Sequence, residues 1–113
     1  MKYALINKMT AKPGKRDEVI KIMLESGAAF NDNQNCLLYV VSKDKKIDNV
    51  LWVQDVWTDA DSHQAAMSDT SMQEYVKQAM PLLEGMPEQM EIELIGGKSD
   101  FTDWAVFKQS SQI

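Results

Sequence analysis

The chain has 113 residues and a formal net charge of −5, with 44% hydrophobic and 26% charged residues. That length gives one domain with a single core, and the acidic balance excludes a nucleic-acid surface, which needs clustered Lys and Arg. Cys36 is the only cysteine, no apolar run approaches a membrane span, and no signal-peptide core precedes Lys8, so the sequence reads as cytoplasmic, with neither disulfide nor membrane partner.

Lys2 to Met9 alternates as a strand, with Tyr3, Leu5, Asn7 and Met9 on one face. Thr10 to Gly14 is a turn. From Lys15 onward Val19, Ile22, Met23 and Phe30 recur at helical spacing, and the helix fades through Gly27 to stop near Asn31. Cys36 to Lys43 is rich in β-formers and predicts a second strand. Asp44 to Asn49 is a polar hairpin loop in which Lys43, Lys45 and Lys46 mix with Asp44 and Asp48, a solvated turn rather than a basic patch. Val50 to Trp57 is the third strand. Asp59 or Asp61 can cap a helix through His63 toward Met67, and Ser68, Asp69 or Thr70 can restart it through Val76 and Met80. Pro81 does not obviously end it, because Leu82 and Leu83 continue the apolar pattern to Gly85. Glu88 to Ile95 then sets Met90, Ile92 and Leu94 against Gln89, Glu91 and Glu93, a half-buried last strand.

The order βαββαβ predicts an α+β, ferredoxin-like domain with a four-stranded antiparallel sheet and helices on one face. The strands nonetheless carry apolar residues on both faces: Leu38 and Val40 against Tyr39 and Val41, and Trp52 and Val56 against Val53 and Trp57. A monomer rarely leaves such a face in water. Burying about 600 Å² of it stabilises by roughly 15 kcal/mol before the costs of association. A two-fold homodimer, sheet against sheet, is the expected arrangement.

Leu38-Tyr39, Asp55-Val56-Trp57, Asp59, His63, Ala65, Pro81-Leu82 and Ile95-Gly96-Gly97 together resemble the antibiotic biosynthesis monooxygenase domain, in its small quinol-monooxygenase-like branch. The resemblance spans residues 1–97, leaving 98–113 as a C-terminal extension. It implies the ferredoxin-like fold paired as a dimeric α/β barrel, and a cofactor-independent oxygenase that uses O₂ on a quinol, anthrone or polyphenol. The alternative is a non-catalytic barrel that binds a small aromatic metabolite. A separate branch of the family degrades haem with an Asn, a Trp and an axial His. Asn7 fits the first position, but Ala66 and Val76 stand where the other two align, so haem chemistry is not expected.

The residues themselves narrow the chemistry. There is no Gly-rich phosphate loop, no paired-His metal spacing and no Ser-His-Asp set. The expectation is therefore no cofactor and no metal, with the substrate supplying its own electrons to O₂. Such a reaction asks the protein for an apolar pocket, a proton acceptor and a hydrogen-bond donor. His63 and Asn7 are the catalytic candidates: an imidazole that titrates near neutrality, and an amide in an otherwise apolar strand. Each has a structural reading too, as an exposed helix residue and as a backbone-satisfied amide. Tyr39, Trp57, Asp55 and Met67 are the substrate-binding candidates; packing is the competing role for Tyr39, Trp57 and Met67, and Asp55 either accepts a helix N–H or a Tyr hydroxyl structurally or acts as a base. In the extension, Phe101, Trp104, Val106 and Phe107 are too apolar to float in water, so Lys98 to Lys108 is expected to dock on its own subunit or its partner.

Overall fold

Four strands, β1 (Tyr3–Thr10), β2 (Cys36–Lys43), β3 (Val50–Trp57) and β4 (Glu88–Ile92), and three helices, α1 (Arg16–Ala28), α2 (Ala60–Met67) and α3 (Thr70–Ala79), make up the computed structural model, which describes residues 2–98. The strands pair antiparallel in the order β2-β3-β1-β4, the predicted ferredoxin-like α+β sheet. β2 and β3 have the bounds read from the sequence. The register sets Tyr3, Leu5, Asn7 and Met9 opposite Trp57, Asp55, Val53 and Leu51, so the predicted alternation of β1 holds. The expected docking of the extension falls on residues outside those described, apart from Lys98. Among the described residues, no helix is long and apolar enough to cross a membrane.

The β2–β3 hairpin has neither Gly nor Pro, and side chains shape it instead. Asp44 Oδ1 accepts the backbone N–H groups of Lys46 and Ile47, both at 2.9 Å, and its Oδ2 accepts Trp52 Nε1–H at 3.0 Å. Arg16 of α1 reaches across to donate from Nη1 to the carbonyls of Asp44, Ile47 and Val50 at 3.1–3.3 Å. The Trp52 indole first, then the N–H groups of Ile47 and Lys46, hold the Asp44 carboxyl down from 3.8 to about 2. A lowered folded value means that the stabilisation is complete above about pH 4 and is lost as the pH falls through about 2. Asp44→Ala is therefore less stable than wild type in urea at pH 7, and the difference between the two narrows on acidification toward pH 2.

Aspartates start both later helices. Asp59 Oδ1 accepts Ser62 N–H at 2.7 Å and Asp69 Oδ1 accepts Ser71 N–H at 2.8 Å, which settles the choice of caps. Two sequence expectations are corrected. α3 ends at Ala79, and Met80–Leu82 forms a 3-10 turn rather than more α-helix. Pro81 has no N–H for the carbonyl four residues back, and its ring crowds that turn. The last strand stops at Ile92 instead of Ile95, and all five of its residues are exposed rather than half-buried. It is an edge strand, and β1 supplies no partner beyond Ala4, which pairs with Ile92.

The helices cover one sheet face. Val19, Ile22 and Met23 of α1 and Ala79 of α3 pack with Leu51 and Val53, while Phe30 and Met72 pack on Trp57. On the opposite face lie Ile6, Leu38, Val40, Trp52, Met90 and Ile92, where Val40, Met90 and Ile92 are 40%, 46% and 41% exposed. No described element covers them.

Candidate active site

The core is not filled solid. Between the helix-facing side of the sheet and α2–α3 lies a half-open cavity of about 340 Å³. The sheet lines it with Asn7 and Met9 of β1, Tyr39 of β2, Val53 and Asp55 of β3 and Gln89 of β4. Alternation along each strand puts these side chains on a single face. The helices and their flanks add Met23, Ser26, Phe30, His63, Met67, Met72, Tyr75 and Val76, and Met86 and Pro87 form part of the rim.

The polar end is built where β3 hands over to α2. Asp59 starts α2 directly after the strand, and His63 follows about one turn later. Its ring sits between Tyr3 and Trp57, with centroids 5.2 Å and 5.6 Å away, and only 15% of its side chain is exposed. Asp55 and Trp57, two residues apart, share a strand face. Trp57 Nε1–H donates to Asp55 Oδ2 at 2.7 Å. His63 Nε2 lies 3.9 Å from the same oxygen, beyond hydrogen-bond distance. Asp55 Oδ1 is buried with no hydrogen-bond partner among the described residues. Buried acceptors are usually satisfied, so an uncommitted carboxylate oxygen beside a cavity calls for an explanation.

Burial governs the electrostatics here. It raises the Asp55 carboxyl above its ordinary value, against the lowering pull of the Trp57 bond and the His63 imidazole. Burial also lowers His63, against the pull of Asp55. The Tyr39 phenol is raised, again chiefly by burial. Low dielectric thus favours a carboxyl ready to hold a proton beside an imidazole reluctant to gain one. No Lys or Arg among the described residues lines the cavity. Among the described residues, no group of three or more His, Cys, Asp or Glu is placed to hold a metal ion.

Asn7, Tyr39, Asp55, His63 and Met67 therefore meet at one cavity. Trp57 stands behind its wall instead of in it, fully buried at 0% exposure against Phe30 and Met72. Trp52 projects from the other sheet face and is tied to Asp44. Ser26, Phe30 and Tyr75 were missed. Ser26 had a usable signal: it falls on the Val19, Ile22, Met23 stripe of α1, where a polar residue is out of place.

Tyr39 owes its position to Gly27. Its hydroxyl donates to the Met23 carbonyl at 3.1 Å and meets Ser26 Oγ at 3.2 Å. A Cβ on Gly27 would lie 2.5 Å and 2.6 Å from two atoms of the tyrosine ring. Gly to Ala inside a helix ordinarily stabilises by about 0.5–1 kcal/mol. Here the sign reverses: Gly27→Ala costs about 1–3 kcal/mol through overpacking. The added change Tyr39→Ala should remove that penalty, which a double-mutant cycle in urea measures. Additive losses would show that the two residues do not oppose each other.

A four-stranded antiparallel sheet with its helices on one face and a cavity beneath them defines an α+β, ferredoxin-like domain. The chain belongs to the antibiotic biosynthesis monooxygenase family, whose model matches residues 2–78. A protein of Chloroflexus aurantiacus J-10-fl, described as of the antibiotic biosynthesis monooxygenase type, is 35% identical with a TM-score of 0.77, over 88% of this chain and 98% of that one. A protein of the same description from Caulobacter crescentus CB15 is 18% identical, with a TM-score of 0.78 over 84% and 91% of the two chains. SnoaB, a cofactor-independent oxygenase from Streptomyces nogalater, is 17% identical, with a TM-score of 0.74 over 85% and 95%. These last two likenesses concern the fold alone. No curated protein matches the chain.

Proposed function

We propose that this protein is a cofactor-independent, monooxygenase-like enzyme that oxidises a small quinol or related phenol with O₂. The observation that carries the reading is the pairing of buried Asp55 with half-buried His63 at the end of an apolar, methionine-rich cavity that no Lys or Arg lines among the described residues. A neutral phenol enters such a site without a counter-ion. Once it loses a proton it becomes a good electron donor to O₂, and the apolar walls of the half-open cavity limit water's access to it. The Asp55–His63 pair receives the phenol's hydroxyl at the polar end of the cavity. Asn7, whose amide enters no hydrogen bond with the described residues, donates to the substrate oxygen or to reduced oxygen. Tyr39 and Met67 bound the flat ligand, and Trp57 backs the wall.

A cavity of about 340 Å³ is at the small end of ligand sites, which favours a one- or two-ring quinol over an anthrone. It also weighs against haem, as do Ala66 and Val76: Ala66 packs on the Phe30–Trp57–Met72 cluster and Val76 lines the cavity without a donor atom. We further propose a homodimer formed by the uncovered face of Ile6, Leu38, Val40, Trp52, Met90 and Ile92. SnoaB, described as a cofactor-independent oxygenase, supports the enzymatic reading by sharing the fold.

The test is oxygen consumption with a panel of hydroquinones, naphthohydroquinones and anthrones, run on wild type, His63→Ala and Asn7→Ala. The expected result is turnover of a one- or two-ring hydroquinone, lost by about 100-fold or more in the variants. Turnover surviving both changes would refute the site assignment. Tight binding without oxygen uptake would make the protein a binder of small aromatics.

A further inference from the structure

We infer that Asp55, and not His63, takes the ligand's hydroxyl proton, and that Trp57 is a positioning residue that fixes one carboxylate oxygen and leaves the other for the ligand. The inference rests on the quinol reading and deepens it. Of the polar side chains that line the cavity among the described residues, only Asp55 and His63 carry a basic atom; the hydroxyls of Ser26, Tyr39 and Tyr75 and the amide of Gln89 do not. Asn7 has no basic atom to receive a proton. His63 is wedged between the Tyr3 and Trp57 rings and directs Nε2 toward Asp55, 3.9 Å from Oδ2. Asp55 holds Oδ2 on the Trp57 indole at 2.7 Å and has Oδ1 buried without a hydrogen-bond partner among the described residues.

The step balances simply. The ligand's O–H bond breaks, the proton joins the uncommitted oxygen of Asp55, and the bonding pair stays on the ligand oxygen. One negative charge passes from carboxylate to phenolate, and the charge of the site is unchanged. Burial favours the direction of this transfer, since it raises Asp55 while lowering His63. The other titratable groups around Asp55 are Tyr3 on β1, Cys36 and Tyr39 on β2 and Tyr75 on α3, with Glu91 on β4 beyond Tyr3. α1 presents the neutral Met23 and Ser26. Trp57 acts through Asp55: its N–H favours the anion, so that the carboxyl is ionised when a phenol arrives.

The experiment has two arms. In the first, the protein carries ¹³C-labelled aspartate, and the Asp55 carboxyl is titrated by NMR in wild type and in Trp57→Phe, which keeps a ring but removes the N–H. Asp55 should titrate above its ordinary value in wild type and higher still in Trp57→Phe, because the lost bond favoured the anion. Resorcinol, a diphenol that does not form a simple quinone, should shift the Asp55 resonance of the wild type. In the second arm, the pH dependence of kcat/KM is followed with the best hydroquinone. Asp55→Asn should lose at least about 100-fold, Trp57→Phe should move the acid limb to higher pH, and His63→Gln should keep the limb. An acid limb that disappears in His63→Gln, or an Asp55 titration unmoved in Trp57→Phe, would overturn the assignment. If the wild type oxidises no quinol while the NMR results are as stated, the oxygenase reading fails and Asp55 remains the group that meets the ligand's hydroxyl.

Discussion

Trp57→Ala lowers the unfolding free energy by about 3–5 kcal/mol, a large share of the about 5–15 kcal/mol typical of a whole domain. The residue is fully buried and joins the sheet to Phe30 and Met72. Phe30 meets its indole edge-on with ring centroids 5.1 Å apart, a favourable aromatic geometry. Truncation opens a void there and removes the donor to Asp55 Oδ2, leaving a buried carboxylate with no hydrogen-bond partner on either oxygen. Trp57→Phe should lose less, because most of the ring contacts persist. Urea titrations of both variants at pH 7 make the comparison. A loss below about 1 kcal/mol for Trp57→Ala would mean that the site collapses around the gap and that Trp57 does not support the cavity wall.

The second large effect concerns association. In the proposed homodimer, Val40 and Ile92 lie on the uncovered sheet face at 40% and 41% exposure. The double variant Val40→Glu, Ile92→Glu places four carboxylates in the interface, and desolvating unpaired charges is costly. The dimer constant should weaken at least about a thousandfold, equivalent to about 4 kcal/mol. Sedimentation should then show a monomer at micromolar concentration, with the far-ultraviolet circular dichroism retained. A wild type that already sediments as a monomer would remove the dimer, and an unchanged variant would move the interface elsewhere.

Much of this molecule is legible in the residue order, for physical reasons that differ between elements. β2 and β3 are runs of β-branched and aromatic residues whose ends are marked by polar loops, so their bounds could be read directly. Asp59 and Asp69 announce the helix starts because a carboxylate satisfies exposed N–H groups. The end of α3 was misread because the apolar spacing of Leu82 and Leu83 continues across Pro81, although the missing N–H stops the α-helix. β4 was overextended because alternation continues past the point where β1 runs out of partners.

The candidate site divides the same way. Strand parity groups Asn7 with Tyr3 and Leu5, and Asp55 with Val53 and Trp57, but the inter-strand register is what brings Asn7, Asp55 and Tyr39 to one face. His63 could be placed near the β3 end by its short distance in sequence. Ring contacts with Tyr3 and Trp57 could not be foreseen, because they depend on the angle at which α2 crosses the sheet. The Gly27–Tyr39 fit is a contact between α1 and β2 that no local pattern encodes. Nor does periodicity distinguish a residue that lines a cavity from one that fills the core behind it, which is how Trp57 came to be grouped with the lining residues.

The central claim is that a flat phenol occupies the space beneath the helices. The methionines allow a direct measurement, because Met9, Met23, Met67, Met72 and Met86 line the cavity whereas Met90 belongs to the opposite sheet face. With ε-¹³C-methyl methionine and a hydroquinone titrated in without oxygen, the signals of Met23, Met67 and Met72 should shift together and saturate, and that of Met90 should stay in place. Shifts confined to Met90, or none at saturating hydroquinone, would contradict the account.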